Sequence, residues 1–381
     1  MVTRPEGPPE RVGSVRYVNV QVLRLVAALL VVGTHATFYT SQHLVPGAVW
    51  HFGEVGVDLF FVISGFVMLT SSWRHLAEPG YSRVFFLRRL VRIAPMYWIA
   101  TTISLLSLVA VPGLTSERPS TARVLLSYLF VSTRSPDGRM EPLHGVGWTL
   151  VYEMFFYLVF AVAVALRANV QVFCAVVFLA CAAGSLLRPA HYSSPLEVYL
   201  DPVLLYFVAG MAIGRWAVDR SSRTGPAWLV VLVVAWSLDA ALRSGADGFA
   251  WSLLLRPVLV VAVVLLFVVL EPLTGAVVPA VLVLLGDASY SLYLFHPFVG
   301  PLVPVVLARL HLVVPWLSIA LVFVAALVGG AAAYAVVERP LTRWLQRRVP
   351  GLRPSAPATS ERSAAARVEG EPVRETGDQV G

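Results

Sequence analysis

Stretches of Val, Leu, Ala and Phe recur from about residue 20 to about residue 337, separated by short polar segments rich in Arg, Pro and Gly. Each apolar stretch is roughly 17 to 25 residues long, enough for a helix to cross a hydrocarbon layer about 30 Å thick. Ten spans are predicted, at roughly 20–39, 52–71, 93–112, 148–166, 170–187, 199–218, 226–242, 251–270, 279–300 and 314–337. The expected fold is all-α: a polytopic integral membrane protein with about ten transmembrane helices. The longest loop, 113–147, contains "RVLLSYLFV", which is too short to span and is expected to be a re-entrant or interfacial element.

An even number of spans puts both chain ends on one side. With the N-terminus inside, the inner segments hold about twice as many arginines as the outer ones, which places both termini in the cytoplasm and the chain in the cell membrane. Residues 1–15 are polar and Pro-rich and lack the short apolar core and cleavage site of a signal peptide, so they are expected to stay as a cytoplasmic segment. Residues 16–345 are expected to form the membrane domain. From 354 to 381 the composition turns polar and small, as in a disordered tail. The pattern suggests neither an appended enzymatic domain nor an internal repeat.

Composition sharpens this reading. The chain is 57% hydrophobic and only 13% charged, against about a quarter charged in a soluble domain. Its net charge of +7 is carried by arginine alone, with no lysine, and the arginines lie mostly between apolar runs. That distribution suits membrane orientation, anionic headgroups or phosphorylated ligands rather than a nucleic-acid duplex. Cys174 and Cys181 stand seven apart in one apolar run, about two turns along one helix face, where they fit neither a disulfide nor a metal set. They read as small buried hydrophobes.

Polar residues inside the apolar runs are the candidate chemistry, because charge at membrane depth is costly and faces a protein interior or a wet cavity. In "RLVAALLVVGTHA", Arg24 and His35 are eleven residues apart, about three turns and about 16 Å along one helix face. Arg24 can snorkel to the inner interface and His35 can be a satisfied helix contact. In a wet cavity the imidazole would instead suit a general base. Asp58 and Ser64 interrupt "GEVGVDLFFVISGFVM"; a buried carboxylate needs a partner, and a cation or imidazole on the first span is expected to supply it. Gly53, Gly56 and Gly65 there would allow close helix approach.

"FLRRLVRIAPMYW" clusters Arg88, Arg89 and Arg92, with Arg88 and Arg92 expected on one face. The cluster reads either as an inner-side topology determinant or as a site for a phosphate-bearing ligand. "GVGWTLVYEMFFYL" puts Glu153 among Trp148, Tyr152 and Tyr157, as a functional intramembrane carboxylate or a hydrogen-bond anchor. "GDASYSLYLFHPF" adds His296, which a structural role would equally explain.

Taken in order, these blocks resemble the acyltransferase family 3 membrane proteins, the O-acetylase type, in a stand-alone form. The resemblance rests on Arg24 and His35, then Gly53–Phe66, Arg88–Trp98, Trp148–Tyr157, Phe207–Gly210, Ser289–Pro297 and Glu338–Pro340, together covering roughly residues 16 to 345. One departure is that Pro297 directly follows His296, where the family pattern leaves a residue between.

The resemblance implies transfer of an acyl group, most often acetyl, from acyl-CoA to a hydroxyl of a cell-surface carbohydrate, with no metal. It implies donor binding by Arg88, Arg89, Arg92 and Arg24, with His35 as general base or acyl-accepting nucleophile. Asp58 or Glu153 would orient the imidazole, and Ser64, Tyr97, Trp148, Tyr152 and His296 would line the substrate cavity. The family also modifies small natural products such as macrolides, which remain an alternative acceptor. In a different class, a proton-coupled transporter or acyl-relay channel would use His35, Asp58 and Glu153 as a proton path, although the halves show no repeat. The expected partners are the lipid bilayer, the acyl donor and the hydroxylated acceptor.

Overall fold

The computed structural model describes residues 17–110, 119–187, 192, 194–220, 224–243 and 251–349. The proposed cytoplasmic segment and polar tail lie outside the described residues. The described residues are almost wholly helical. Among the described residues eight stretches are long and apolar enough to cross a membrane: Val18–His43, His51–Ser72, Tyr81–Ala110, Gly145–Ala165, Pro195–Val218, Leu255–Val277, Ser289–Arg309 and Pro315–Arg348. Two shorter apolar helices, Val170–Gly184 and Gly225–Ser237, fall between them. The ten follow the order of the ten spans expected from sequence.

Several boundaries differ from that expectation; the last crossing stretch, for example, runs on from 337 to Arg348. The third helix begins at Tyr81, twelve residues before the apolar run, because the arginine cluster is itself helical. The run from 279 is broken at Asp287–Ala288 into helices Ala280–Asp287 and Ser289–Val299, and the crossing stretch continues to Arg309. Hydropathy alone did not register that break.

The helices used below are α1 (Val18–His43), α2 (Val55–Ser72), α3 (Tyr81–Ala110), α4 (Thr121–Tyr128), α5 (Trp148–Ala165), α6 (Val170–Gly184), α7 (Leu205–Val218), α8 (Thr224–Arg243) and α9 (Trp251–Thr274). After these come α10 (Ala280–Asp287), α11 (Ser289–Val299), α12 (Leu302–Arg309), α13 (Pro315–Ala333) and α14 (Arg339–Arg348). The end of the bundle where α1 starts is called proximal, the other distal. Its position is fixed by Glu271 near the end of α9, whose carboxylate oxygens accept from the Val18 and Asn19 amides at 2.6 and 2.8 Å. A carboxylate there satisfies orphan amides and the positive end of the helix dipole together.

The centre of the bundle is α2 against α7. Gly65 faces the Phe207 carbonyl and Gly210 faces the Val62 carbonyl, and a Cβ at either position would overlap that oxygen. Small residues at a crossing let two backbones approach, the means by which membrane helices gain packing where the hydrophobic effect is weak. Around this contact Phe207 stacks on Phe156 with ring centroids 4.4 Å apart and meets Phe61 at 4.8 Å. α1 packs against α2 on one side and α10, α11 and α13 on the other, burying Ala27, Ala28, Val31 and Val32.

The segment containing "RVLLSYLFV" forms α4, eight residues capped by Ser120, whose side chain accepts from the Arg123 amide. It is about 12 Å long. Tyr97 donates to the Ser127 carbonyl at 2.8 Å and Trp98 Nε1 to the Tyr128 carbonyl at 2.9 Å, so α4 lies against the distal half of α3. A two-residue hairpin follows, Thr133–Arg134 against Met140–Glu141. Between α13 and α14, Tyr334–Glu338 is a single π-helical turn, a distortion often found at functional sites. It brings buried Glu338 to Ser291, whose hydroxyl donates at 2.6 Å.

Candidate functional site

α1, α2, α3, α5 and α11 line an open cavity with about 780 Å³ of empty space, which runs from the arginines in the proximal half to Val57 and Thr149 in the distal half. Its cations are Arg24 from α1 and Arg89 and Arg92 from α3. Residues three apart on a helix share a face, so Arg89 and Arg92 enter together. Arg88 is exposed on another face of the helix and does not line the cavity. The expected Arg88–Arg92 pairing is thus corrected to Arg89–Arg92. Spacing allowed both pairs, and only the packing of α3 chooses between them.

The cavity's carboxylate is Glu153, which accepts from Ser64 Oγ at 3.1 Å and from the Tyr157 hydroxyl. Arg89 Nη2 donates to Ser71 Oγ at 3.0 Å, while its Nε is buried without a partner among the described residues. Arg24 Nη1 donates to Gln21 Oε1 at 3.3 Å. Among the described residues no carboxylate lies within ion-pair distance of Arg24, Arg89 or Arg92. Three guanidiniums held in a protein interior without direct neutralisation favour an anionic ligand, and their planar forks suit phosphate oxygens.

Phe60, Thr149 and Tyr293 stand on the cavity wall. Thr149 donates to the Tyr293 hydroxyl at 3.0 Å, and that hydroxyl donates to the Val146 carbonyl at 2.8 Å. One turn beyond Tyr293 is His296, its ring centroid 6.0 Å from the tyrosine and 4.8 Å from that of His35. His35 is therefore not on the cavity wall that carries Arg24. The two residues share a helix face as expected, but Tyr293 and Phe60 line the cavity where His35 does not.

The tautomer of each imidazole follows from its partner. His35 Nδ1 lies 3.0 Å from the Val31 carbonyl, and His296 Nδ1 lies 2.7 Å from the Tyr293 carbonyl. A carbonyl only accepts, so Nδ1 carries the proton in both rings when they are neutral. Each Nε2 is then a bare lone pair, and that of His296 is buried with no partner among the described residues.

The remaining expected residues are placed elsewhere. Asp58 Oδ2 accepts from Arg256 Nε at 2.6 Å and from the Tyr206 hydroxyl at 3.1 Å. Its partner is thus on α9 rather than on α1, and neither Asp58 nor Glu153 bonds His35 as a triad member would. Trp148 and Tyr152 pack edge-on to Phe61 at 6.4 and 6.2 Å and do not line the cavity, and Tyr97 is engaged with α4.

The sequence did not single out Arg256, and Glu338, Tyr290 and Tyr293 entered only as parts of the resemblance blocks, with no site role. The first two are ionisable groups in or at the end of apolar runs, which the cost of charge at membrane depth could have flagged. Nothing in their spacing marked the tyrosines as cavity walls. His144, also unanticipated, has both ring nitrogens occupied, by Ser104 Oγ and the Leu294 carbonyl at 2.9 Å each. Among the described residues no three His, Cys, Asp or Glu side chains are arranged to hold a metal ion.

Residues 17–335 match a family model described as an acyltransferase domain. The chain is 37% identical over 317 residues to the exopolysaccharide production protein ExoZ of Rhizobium meliloti (strain 1021), covering 81% of this chain and 94% of that one. It is 25% identical over 296 residues to the putative acetyltransferase ORF330 of Acidianus two-tailed virus, covering 74% and 83%. Nodulation protein 10 of Rhizobium leguminosarum bv. viciae is 26% identical over 230 residues, covering 54% and 61%. No solved structure matches.

Proposed function

The chain belongs to the acyltransferase family of that domain, a multi-pass membrane enzyme, and from this premise we propose that it moves an acetyl group from acetyl-CoA to a hydroxyl of an extracytoplasmic polysaccharide. The observation that carries the proposal is the cavity of three guanidiniums without ion-paired carboxylates, one helical turn from two imidazoles with bare Nε2 atoms. The polysaccharide acceptor is suggested by the name of the exopolysaccharide production protein, which is matched along nearly its whole length.

The arginine bias makes the proximal end cytoplasmic, the side on which acyl-CoA is made. Arg24, Arg89 and Arg92 hold the donor's phosphates there, and the acyl arm extends past Tyr293 toward His35. His35 Nε2 takes the acceptor's hydroxyl proton as its oxygen attacks the thioester carbonyl. The new C–O bond forms, the C–S bond breaks, and the departing thiolate recovers the proton from the imidazolium. A histidine with Nδ1 already fixed to the backbone is oriented for that transfer without a carboxylate partner.

Membranes containing the protein, supplied with radiolabelled acetyl-CoA and the polysaccharide of the producing strain, test this directly. Covalent label on the polysaccharide is expected, and its loss in His35→Ala at unchanged protein abundance. Label that crosses the bilayer without becoming covalently attached would overturn the proposal in favour of a carrier.

A further inference from the structure

A second cavity opens at the proximal end, away from the arginine cavity, between the end of α2, the α5–α6 turn, α7 and the start of α8, with about 1,270 Å³ of empty space. Three features of its lining point to an anion. Arg167, in the α5–α6 turn, has a positive φ of 54° and an exposed side chain. Arg215 from α7 lies 4.2 Å over the Trp73 ring and donates to Asp219 at 3.0 Å. Gln171, in the first turn of α6, is only 6% exposed, yet its side-chain amide nitrogen is buried with no hydrogen-bond partner among the described residues.

A buried amide donor left unpaired is unfavourable, so a ligand acceptor that reached it would remove that cost. α6 also starts at this cavity, with Asn169 accepting from the Val172 amide, and the positive end of its dipole adds to the arginines. The unsatisfied donor, the helix start and the guanidiniums converge on one chemistry, a phosphate-type anion.

The surroundings decide which phosphate. The cavity sits where transmembrane helices end, and Trp73 and Trp228 line it as tryptophans do at a membrane interface. Below it, Val172 and Val176 on α6 and Val230 and Val234 on α8 are exposed apolar residues, a surface for acyl chains. Basic pockets between helix ends of this kind take lipid headgroups. We propose that this cavity binds the phosphodiester headgroup of an anionic phospholipid, a site separate from the one assigned to the acyl donor.

The experiment uses the purified full-length protein in nanodiscs or detergent, with retained lipid read by native mass spectrometry. Phosphatidylglycerol is offered against phosphatidylcholine, with inorganic phosphate as a separate competitor. Wild type is expected to retain phosphatidylglycerol in clear preference. Arg167→Gln, at an exposed position, and Gln171→Leu, which removes the buried donor, should each reduce that preference by about tenfold or more.

Lipid-free melting temperatures of both variants check folding, and Arg167→Gln alone carries the test if Gln171→Leu unfolds. Equal retention of the two lipids, or a preference unchanged in Arg167→Gln, would overturn the proposal. Displacement of the lipid by inorganic phosphate at comparable concentration would overturn the lipid assignment by showing that a free phosphate suffices.

Discussion

His35 and His296, on α1 and α11, stand with ring centroids 4.8 Å apart, and each ring donates Nδ1–H to a backbone carbonyl of its own helix. Two rings, each with an acceptor nitrogen, are thereby packed edge to face in the distal half of the bundle. Like acceptors have no attraction for one another, so a donor between or beside them is favoured. A sugar hydroxyl is such a donor.

His35→Ala is therefore expected to lower kcat by about 10²–10⁴-fold, the range for loss of a general base. His296→Gln keeps an acceptor of similar reach. It should lower kcat by about tenfold, near the worth of one hydrogen bond, with KM for acetyl-CoA unchanged. Radiolabel transfer at saturating donor measures both. A His296→Gln enzyme with normal kcat would remove His296 from the reaction.

The arginine cavity makes a prediction that sequence spacing alone would have placed differently. Arg89→Gln and Arg92→Gln should each raise KM for acetyl-CoA by about 10- to 100-fold, as expected for losing a hydrogen bond between charged groups. Arg88→Gln, exposed on another face of α3, should leave KM within about twofold. Initial rates across donor concentrations decide the matter. Equal effects at all three positions would indicate diffuse electrostatic attraction rather than a built site.

This contrast marks where the sequence was legible. Ten apolar helices in order and the family were readable, because hydrophobic length and local motifs are properties of neighbours along the chain. Which helices touch is not. Asp58 needed a partner, as expected, but the residue that meets it is 198 positions away on α9. Arg24 and His35 do share a face, yet the side chains of α2, α5 and α11 determine that only Arg24 reaches the cavity. Tyr290 and Tyr293 were hidden for the same reason, since their role comes from their opposing helices.

Gly65 and Gly210 tie the site to the fold. The backbones of α2 and α7 meet at these two residues, and α2 carries Ser64, the hydrogen-bond partner of Glu153. Gly210→Val should force the helices apart at a cost of about 1–3 kcal/mol or more. Expected outcomes are reduced yield of folded protein, a lower melting temperature in detergent and a loss of transfer beyond the loss of protein. A variant with normal melting temperature would show that the crossing tolerates side chains.

The Asp58–Arg256 pair offers the sharpest separation of structure from chemistry. Asp58 is buried, its side chain 6% exposed, whereas that of Arg256 is 42% exposed. Removing one partner of a fully buried pair costs about 3–5 kcal/mol. Solvent around Arg256 reduces that figure, and a loss of about 1–2 kcal/mol is expected here. Asp58→Asn leaves a cation beside a neutral amide, and Arg256→Gln leaves a buried carboxylate with only Tyr206 to satisfy it, so the second change should be the more damaging. The double variant should melt above Arg256→Gln, because no buried charge is then left without a counter-charge. Since Asp58 bonds α7 and α9 and not His35, the specific activity of folded Asp58→Asn should stay within about threefold of wild type, less than the loss of one hydrogen bond in the transition state would cause. Abolished turnover at an unchanged melting temperature would instead make Asp58 part of the reaction.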